Sequence, residues 1–226
     1  MGVTAIIAAG GKGMRMGADK NKVFLELAGK EILVRTIDVF ENNSLISDIV
    51  IVTGKEDIEE CNKLIKKHGY NKINAVTAGG NTRRESVCRG LKYAKQEIIA
   101  VHDAARALVT DEIIRSTVTA AERYGAAAPG VLCKDTLKKA DSDGFIEATV
   151  DRSTVYQIQT PQVFKRDIIL EAHESAGDFE ATDDCALAEK MGVKIKITAG
   201  SYENIKLTTP EDMIIGENIL KRRGVL

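Results

Sequence analysis

Along the first 132 residues, short apolar runs alternate with longer segments in which apolar residues recur every three or four positions. Short runs are typical of buried strands, and the longer spacing is typical of amphipathic helices. The pattern predicts strands at 3–8, 48–53, 73–78, 97–104 and 126–132. It predicts helices at 32–40, 57–67, from Thr82 and at 111–125. This alternation indicates βαβ units, and therefore an α/β fold with a Rossmann-like, mostly parallel sheet and helices on both faces.

The second half of the chain continues the pattern less regularly. Helices are predicted at 166–175, from Thr182 and from Thr209, and a strand at 193–198. Thr209 and Pro210 are typical of the N-cap and the first position of a helix. Thr82 and Glu85 have the spacing of a capping box, in which each side chain accepts a bond from the other residue's backbone N–H. Because no repeat or linker interrupts the chain, we expect residues 1–226 to form one domain.

Residues 135–150 break the alternation of strands and helices. They have the pattern of two strands around the turn DSDG, in which Asp143-Gly144 is a hairpin signal. We therefore predict a β-hairpin arm, at about 135–152, inserted into the domain. An isolated hairpin is only marginally stable in water, so the arm is expected to need a partner surface. A solvated arm on a monomer is the alternative.

Composition and charge exclude several classes of function. The net charge of the 226 residues is -1, so no overall basic field favours nucleic acid as a partner. No apolar run approaches the roughly 18 to 20 residues of a membrane span, and no signal peptide is evident. The four cysteines are scattered, without a metal-binding spacing. We therefore expect a cytoplasmic protein with reduced thiols.

The segment IIAAGGKGMRMGADKNK, residues 6–22, combines glycines with the cations Lys12, Arg15, Lys20 and Lys22. It is not a P-loop, because its first lysine stands between glycines and no Ser or Thr follows. It is not a Rossmann fingerprint, because the third glycine is missing. The segment is either a plain glycine turn or a loop whose amides approach a triphosphate while Lys and Arg neutralise its charge.

Seven further segments follow this loop in order. They are AGGNTRRESVCRGL, VHDAAR, KDTLKKA, TVDR, QTPQVF, TDDCALAEKMG and GSYENIKLTTPEDM. Together with the loop, they resemble the signature of the 2-C-methyl-D-erythritol 4-phosphate cytidylyltransferases. These are sugar-phosphate nucleotidyltransferases of the non-mevalonate pathway to isoprenoids. The resemblance covers about residues 3–220.

The resemblance implies transfer of CMP from CTP to 2-C-methyl-D-erythritol 4-phosphate, giving 4-diphosphocytidyl-2-C-methyl-D-erythritol and pyrophosphate. It also implies Mg²⁺ or another divalent cation as cofactor. A phosphate monoester has a second pKa of about 6 and is largely dianionic at pH 7, so the attacking group needs no general base. The difficulty is the approach of two polyanions, which requires positioning and fixed positive charge.

The resemblance also implies roles for individual residues. The implied catalytic residues are Arg15, Lys22, Arg152 and Lys206. The implied nucleotide-binding residues are Ala9, Gly10, Gly11, Lys12, Gly13, Gly80, Asn81, Arg83, Ser86 and Asp103. The implied acceptor-binding residues are Asp103, Arg106, Thr136, Arg152, Thr160 and Thr182, and Asp103 is also the implied metal ligand. We expect Lys20 to be solvated, His102 to be structural, and Thr182 to be either an acceptor contact or a helix cap.

A few positions depart from the usual pattern of the family. Ala8 and Gly10 stand where Pro and Ala are usual, a change that adds backbone freedom and is expected to be tolerated. Asn81 replaces a common Asp, so the contact with the base is expected to differ there. Ala107 replaces the Pro that usually follows Arg106, which is expected to loosen that loop.

In the family that this chain resembles, the arm crosses to a second subunit, where Thr136 and Arg152 help to hold the acceptor phosphate. A homodimer is therefore expected. Two other functions are alternatives to the methylerythritol reaction. A pentitol-phosphate cytidylyltransferase, using ribitol 5-phosphate, would share the glycine loop and the TTPED ending. A catalytically silent nucleotide-binding protein would not need the implied cations and Asp103.

Overall fold

The computed structural model describes residues 2–11, 21–179 and 181–225. Its strands are β1 (Val3–Ala8), β2 (Glu26–Leu27), β3 (Lys30–Glu31), β4 (Ile46–Thr53), β5 (Ile73–Ala78), β6 (Ile98–Asp103), β7 (Ala126–Leu132), β8 (Leu137–Ala140), β9 (Ile146–Val150), β10 (Tyr156–Ile158), β11 (Gln162–Lys165) and β12 (Lys196–Ala199). Its helices are α1 (Ile32–Asn42), α2 (Ile58–His68), α3 (Arg83–Leu91), α4 (Asp111–Tyr124), α5 (Arg166–Glu174), α6 (Asp184–Lys190) and α7 (Pro210–Arg222). Short 3-10 turns cover Lys22–Phe24, Lys55–Asp57 and Arg152–Thr154.

Eight strands form one sheet in the order β10-β7-β11-β6-β1-β4-β5, with β12 beside β7. β1 pairs in parallel with β4 and β6, β4 pairs in parallel with β5, and β12 pairs in parallel with β7. β11 runs antiparallel between β6 and β7, and β10 runs antiparallel to β7. The predicted α/β fold with a mostly parallel sheet is confirmed. The two antiparallel strands were not predicted.

Helices cover both faces of the sheet, as predicted. Consecutive residues of a strand point to opposite faces, and β1 shows this arrangement clearly. Ile7 belongs to a buried cluster with Leu33 of α1 and Val118 of α4. Its neighbour Ile6 belongs to a second buried cluster with Val87 of α3 and Ile169 of α5. Since every residue of β1 before Ala8 is buried, its near-continuous apolar sequence is what a central parallel strand requires.

The capping signals at the helix starts are partly confirmed. The Thr82 side chain accepts from the Glu85 backbone N–H, but the Glu85 carboxylate accepts from the N–H of Asn81 instead of completing the capping box. Thr209 and Pro210 begin α7 as predicted, and Asp212 completes a capping box there. The predicted helix start at Thr182 is wrong. Asp183 is the N-cap of α6, because its carboxylate accepts from the Ala186 N–H at 2.9 Å.

The predicted arm is present as a separate two-stranded sheet made of β8 and β9. Gly144 has a φ of +87°, which a glycine adopts without strain, and the Asp141 carboxylate accepts from two backbone N–H groups of the turn. Phe145 and Ile146 at its tip are 70% and 66% exposed. The arm therefore presents large apolar side chains on a surface that its own strands do not cover. No helix in the described part of the chain is long and apolar enough to span a membrane.

Candidate active site

A cleft of about 1320 Å³ opens at the C-terminal ends of the parallel strands. Residues at or directly after the ends of three of these strands line it, namely Gly10 and Gly11 after β1, Thr53 and Gly54 at β4, and Gly79 and Gly80 after β5. Ligands of open α/β sheets bind at this edge. The cleft is thus where the strand order places a binding site, and it contains the glycines that the sequence pattern indicated.

The described fold does not itself require glycine at the first loop. A Cβ added to Gly10 would lie 3.9 Å from the Thr53 backbone, and one added to Gly11 would meet no described atom within 4 Å. Neither residue has a φ in the left-handed region. The alanine that the related family has at Gly10 would therefore fit, as expected. Bare backbone facing an open cleft suits a ligand that approaches closely.

The second loop is held rigidly by its own residues. A Cβ on Gly80 would lie only 2.3 Å from the Glu85 Cβ, so only glycine fits there. The Gly80 N–H donates to the Ser86 hydroxyl at 3.1 Å, and that hydroxyl donates to the Thr82 carbonyl at 2.9 Å. Asn81 is exposed between them, with its N–H on Glu85. The predicted base-reading residues Gly80, Asn81 and Ser86 thus form one ordered turn along the cleft.

Lys22 begins a 3-10 turn that Asn21 fixes in place. The Asn21 amide donates to the Ala9 carbonyl and to the Asp57 carboxylate, both at 2.8 Å, while its carbonyl accepts from the Val23 N–H. The Lys22 ammonium donates to the Leu207 carbonyl at 2.9 Å. Lys22 is therefore brought beside the segment that carries Lys206. Asn21 was not predicted, although an Asn directly before a turn is itself a capping signal.

Asp103, at the end of β6, is paired with two cations. Its Oδ2 lies 2.7 Å from the Lys206 ammonium, and its Oδ1 lies 3.5 Å from Arg83 Nε. Burial raises the pKa of Asp103, but Arg83 and Lys206 outweigh it and bring the pKa to about 2. Asp103 is therefore a fixed negative charge at neutral pH.

Arg83 is held mainly by a residue that was not predicted, Asp184. The Arg83 Nη1 lies 2.6 Å from the Asp184 carboxylate, and the second Asp184 oxygen lies 2.9 Å from His173 Nε2. Burial lowers the pKa of Arg83, but Asp184 and Asp103 outweigh it and raise the pKa above its ordinary value. The TDD motif could have indicated a carboxylate here, but its partner Arg83 is far away in sequence.

The predicted acceptor residues Thr160 and Arg106 both contact His102, and Thr160 also accepts from the Asp103 backbone N–H. The Asp103 N–H donates to the Thr160 hydroxyl at 3.1 Å, and that hydroxyl lies 3.0 Å from His102 Nδ1. His102 Nε2 lies 3.3 Å from the Arg106 carbonyl, which can only accept, so Nε2 carries the proton and Nδ1 accepts from Thr160. The Arg106 guanidinium donates to the Asn204 carbonyl at 2.7 Å. Both ring nitrogens of His102 are thus used in holding its neighbours, which fits the structural role expected for it.

Because the buried His102 is neutral, we expect the folded protein to lose stability in mild acid. Burial of His102 lowers its pKa to about 3, against 6.5 for an ordinary histidine. The unfolded chain then binds a proton near pH 6.5 and the folded chain does not, so stability is full above that pH and falls below it. We expect the free energy of unfolding to drop by up to about 1.4 kcal/mol per pH unit from pH 6.5 downward. Urea unfolding at several pH values measures this slope.

The matched control for this slope is the exposed His68. The His102→Gln variant should have a shallower slope than the parent protein, and His68→Gln is measured beside it as the loss of an exposed histidine. An unchanged slope in His102→Gln would show that His102 does not cause the acid sensitivity.

Three predicted acceptor residues make no hydrogen bond or ion pair with this cluster in the single chain. Thr136, Arg152 and Thr182 are all exposed. The Arg152 guanidinium donates to the Lys134 carbonyl at 2.6 Å, at the base of the arm. Lys12, Gly13, Arg15 and Lys20 lie outside the described residues.

Asp103 is the one predicted metal ligand. The described residues contain no group of three or more His, Cys, Asp or Glu side chains that could hold a metal ion. A hard cation can instead be held by one carboxylate together with substrate phosphates, which is a common arrangement for Mg²⁺. Asp103 suits this arrangement, since it is ionised and lies near the cleft with its Oδ1 only loosely paired at 3.5 Å.

Comparisons with known proteins identify the family of this chain. The family model described as IspD, 2-C-methyl-D-erythritol 4-phosphate cytidylyltransferase, matches residues 3–222. The enzyme of that name from Caldanaerobacter subterraneus subsp. tengcongensis is 44% identical over 227 residues, covering 98% of this chain and 100% of that protein. The one from Clostridium acetobutylicum is 44% identical and covers 98% of each chain.

Solved structures of proteins from the same family are similar to this chain. The crystal structure of 4-diphosphocytidyl-2C-methyl-D-erythritol synthase from Anaerococcus prevotii is similar to this chain with a TM-score of 0.87 and 33% identity, covering 98% of this chain and 96% of that one. The cytidylyltransferase structure from Thermus thermophilus has a TM-score of 0.79 and 28% identity, covering 98% and 100%. With the match over residues 3–222, these similarities show that the chain belongs to the 2-C-methyl-D-erythritol 4-phosphate cytidylyltransferase family and is a nucleotidyltransferase.

Proposed function

We propose that the enzyme transfers CMP from CTP to 2-C-methyl-D-erythritol 4-phosphate, giving 4-diphosphocytidyl-2-C-methyl-D-erythritol and pyrophosphate. The observation that carries this proposal is a chain of contacts beside the glycine-lined cleft. Lys22 bonds the Leu207 carbonyl next to Lys206, and Lys206 pairs with Asp103. Arg83, the second cation near Asp103, lines the cleft. The proposal is supported by membership of the family whose name states this activity.

The reaction is a displacement at phosphorus. An oxygen of the acceptor phosphate forms a bond to the α-phosphorus of CTP, and the bond from that phosphorus to the bridging oxygen of the β-phosphate breaks. Pyrophosphate leaves with the electron pair. The acceptor phosphate is already ionised at neutral pH, so no side chain has to take a proton from it. This agrees with a site whose nearby histidine, His102, is neutral and fully engaged.

The nucleotide is assigned to the cleft between the two glycine loops. Gly10 and Gly11 leave room for a phosphate against the backbone. The turn at Gly80 places backbone groups and small polar side chains along the cleft, and such groups can read the edge of a pyrimidine. Lys22 and Lys206 supply positive charge to the α-phosphate and the leaving pyrophosphate. Fixed cations lower the barrier because they need no reorganisation as the charge moves.

We assign Asp103 as the ligand of Mg²⁺ or another divalent cation. When bound, such an ion screens the charge of the triphosphate and so assists the approach of a second anion. The chain's own contribution is to hold the carboxylate ionised, through the cations beside it.

We further propose a cytoplasmic homodimer in which the arm carries Thr136 and Arg152 to the acceptor site of the second subunit. The adjacent, strongly exposed Phe145 and Ile146 support this, because contiguous exposed apolar surface is typical of a protein–protein contact. Arg106, Thr160 and Thr182 are assigned to the acceptor from within the subunit. The described cysteines are free, which suits a reducing compartment.

A pyrophosphate-release assay tests the proposed acceptor. The protein is incubated with Mg²⁺ and CTP, together with either 2-C-methyl-D-erythritol 4-phosphate or ribitol 5-phosphate, and without acceptor as control. We expect release only with the methylerythritol substrate. Release only with ribitol 5-phosphate would replace the proposal by the pentitol-phosphate alternative, and release with neither would favour a silent nucleotide-binding protein.

A further inference from the structure

We propose that Asp184 is a positioning residue for this site: it holds the Arg83 guanidinium and so keeps Arg83 from closing onto Asp103. The inference rests on the proposed function, because it takes Asp103 as the ligand of the divalent cation and Arg83 as a contact of the nucleotide. Asp184 contacts neither the cleft glycines nor Lys206 and acts through Arg83 alone.

The distances show that Arg83 is bound unequally by its two carboxylates. Its Nη1 lies 2.6 Å from Asp184, whereas its Nε lies 3.5 Å from Asp103, beyond a normal hydrogen bond. The shorter contact controls the direction of the planar guanidinium. Asp103 is therefore left with one close partner, Lys206.

Asp184 itself is fixed from several sides. Its side chain is 1% exposed, and its Oδ1 accepts from His173 Nε2 at 2.9 Å. Its backbone N–H and that of Cys185 donate to the Gln162 side-chain carbonyl, which belongs to β11 of the central sheet. Burial raises the pKa of Asp184, but Arg83 and His173 outweigh it and lower the pKa below its ordinary value. It is thus a rigid, charged anchor behind the cleft.

The charges of this group balance only when Asp184 is present. Arg83 and Lys206 carry two positive charges, and Asp103 and Asp184 carry two negative charges. Without Asp184, Asp103 is the remaining ion-pair partner of Arg83, while Asp183 acts on Arg83 only through its charge. A buried guanidinium that loses its main carboxylate is left uncompensated and is drawn to the partner that remains. Arg83 would then pair closely with Asp103, and both would be withdrawn from substrate.

Arg83 also retains an unused donor. Its Nη2 is buried, and it has no hydrogen-bond partner among the described residues. Arg83 lines the cleft beside Gly80 and Ser86. A buried donor without a protein partner is costly unless a ligand or water completes it. Asp184 therefore restrains Arg83 in an arrangement that leaves this N–H without a protein partner.

A double-mutant cycle between Asp184 and Arg83 tests the inference. Asp184→Asn, Arg83→Gln and the double variant are compared with the parent enzyme. Turnover is measured by pyrophosphate release per folded molecule, and CTP binding by calorimetry without acceptor. We expect each single variant to lose roughly 10- to 100-fold in kcat/KM and the double variant to lose no more than Arg83→Gln. Losses that multiply in the double variant would overturn the inference.

Asp183 provides a matched control, because it is the adjacent carboxylate of the same helix start and bonds the Ala186 N–H and Gln162. It makes no hydrogen bond or ion pair with Arg83 and acts on it only through its charge. Asp183→Asn removes the same charge and should keep kcat/KM within about twofold of the parent. An equal loss in Asp183→Asn would show that any charge removed from this helix start has the same effect, and would overturn the inference. A purely structural role of Asp184 would lower Tm while leaving kcat per folded molecule unchanged.

A replacement variant and a binding measurement keep the inference testable if Asp184→Asn does not fold or the parent protein is inactive. If Asp184→Asn does not fold, Arg83→Lys replaces it, since a lysine keeps the charge but cannot span both carboxylates as a guanidinium does. Parent-like activity in Arg83→Lys would then overturn the inference. If the parent protein releases no pyrophosphate with either acceptor, the proposed function fails, and calorimetric CTP binding by the four proteins still reports separately on Asp184.

Discussion

The Lys22→Ala variant is expected to lose about 10²- to 10³-fold in kcat while folding like the parent protein, the range seen when one fixed charge-stabilising donor is removed from an active site. Lys22 is only partly buried, and its ammonium makes a hydrogen bond to the Leu207 carbonyl, whose loss costs about 1 kcal/mol. The effect on turnover should be far larger than the effect on stability, because the lysine is assigned to charge that develops during the reaction. Pyrophosphate release at saturating CTP and acceptor measures kcat, and thermal unfolding measures stability.

Lys95→Ala is the matched control for the loss of one positive charge. The Lys95 side chain is exposed and bonds Asn74 at 2.8 Å, away from the residues that line the cleft. Its kcat should stay close to that of the parent. Near-parent turnover in Lys22→Ala would remove Lys22 from the proposed mechanism, and equal losses in both variants would show a general effect of net charge.

The second large effect is a recovery of activity when the Lys22→Ala and Arg152→Ala variants are mixed. If the acceptor site uses Lys22 of one subunit and Arg152 of the second, a mixed dimer of Lys22→Ala and Arg152→Ala contains one intact site and one doubly damaged site. Random exchange makes about half of the dimers mixed, so the mixture should regain about a quarter of the parent activity. The activity of each variant alone should remain low. For Arg152→Ala the reason is that Arg152 is assigned to the acceptor phosphate, which must be held for attack.

Subunit exchange has to be demonstrated in the same samples. Differently tagged variants can be co-purified to show that mixed dimers form. Mixed dimers without recovered activity would show that the arm does not complete the site of the second subunit. A monomer by analytical ultracentrifugation, with full activity, would contradict the proposed dimer directly.

Much of the fold follows from local pattern. β1 is a run of apolar residues that is buried along nearly its whole length, and α4 has apolar residues on one face and Gly125 after its last turn, so both were predicted within a residue. β11 and β10 were not. β11 has only the four residues QVFK, and β10 has three, which is too short for periodicity to distinguish a strand from a loop. They become strands because neighbouring strands offer unpaired backbone groups.

The residues of the site also fall into two groups, those that local motifs predict and those whose roles only the fold decides. Glycines, lysines and Asp103 could be singled out from sequence because each belongs to a short motif. Asp184 and Asn21 have local signals too, but their roles in the site depend on partners that are 101 and 36 residues away, at Arg83 and Asp57. The Thr182 prediction failed for a local reason. Two neighbouring residues both suit an N-cap, and the backbone placed Asp183 there.

By itself, the sequence determined most of the strands and helices and their order, the presence of the arm and the glycine loop, and, through its motifs, the family. These depend on interactions between near neighbours, namely hydrophobic periodicity, turn residues and capping side chains. Only the tertiary structure decided that β11 enters the sheet between β6 and β7, that Lys22 reaches Leu207, and that Asp184 holds Arg83 beside Asp103. The physical reason is that a buried ion pair has no signature in sequence. Its partners are chosen by which strands and helices pack together.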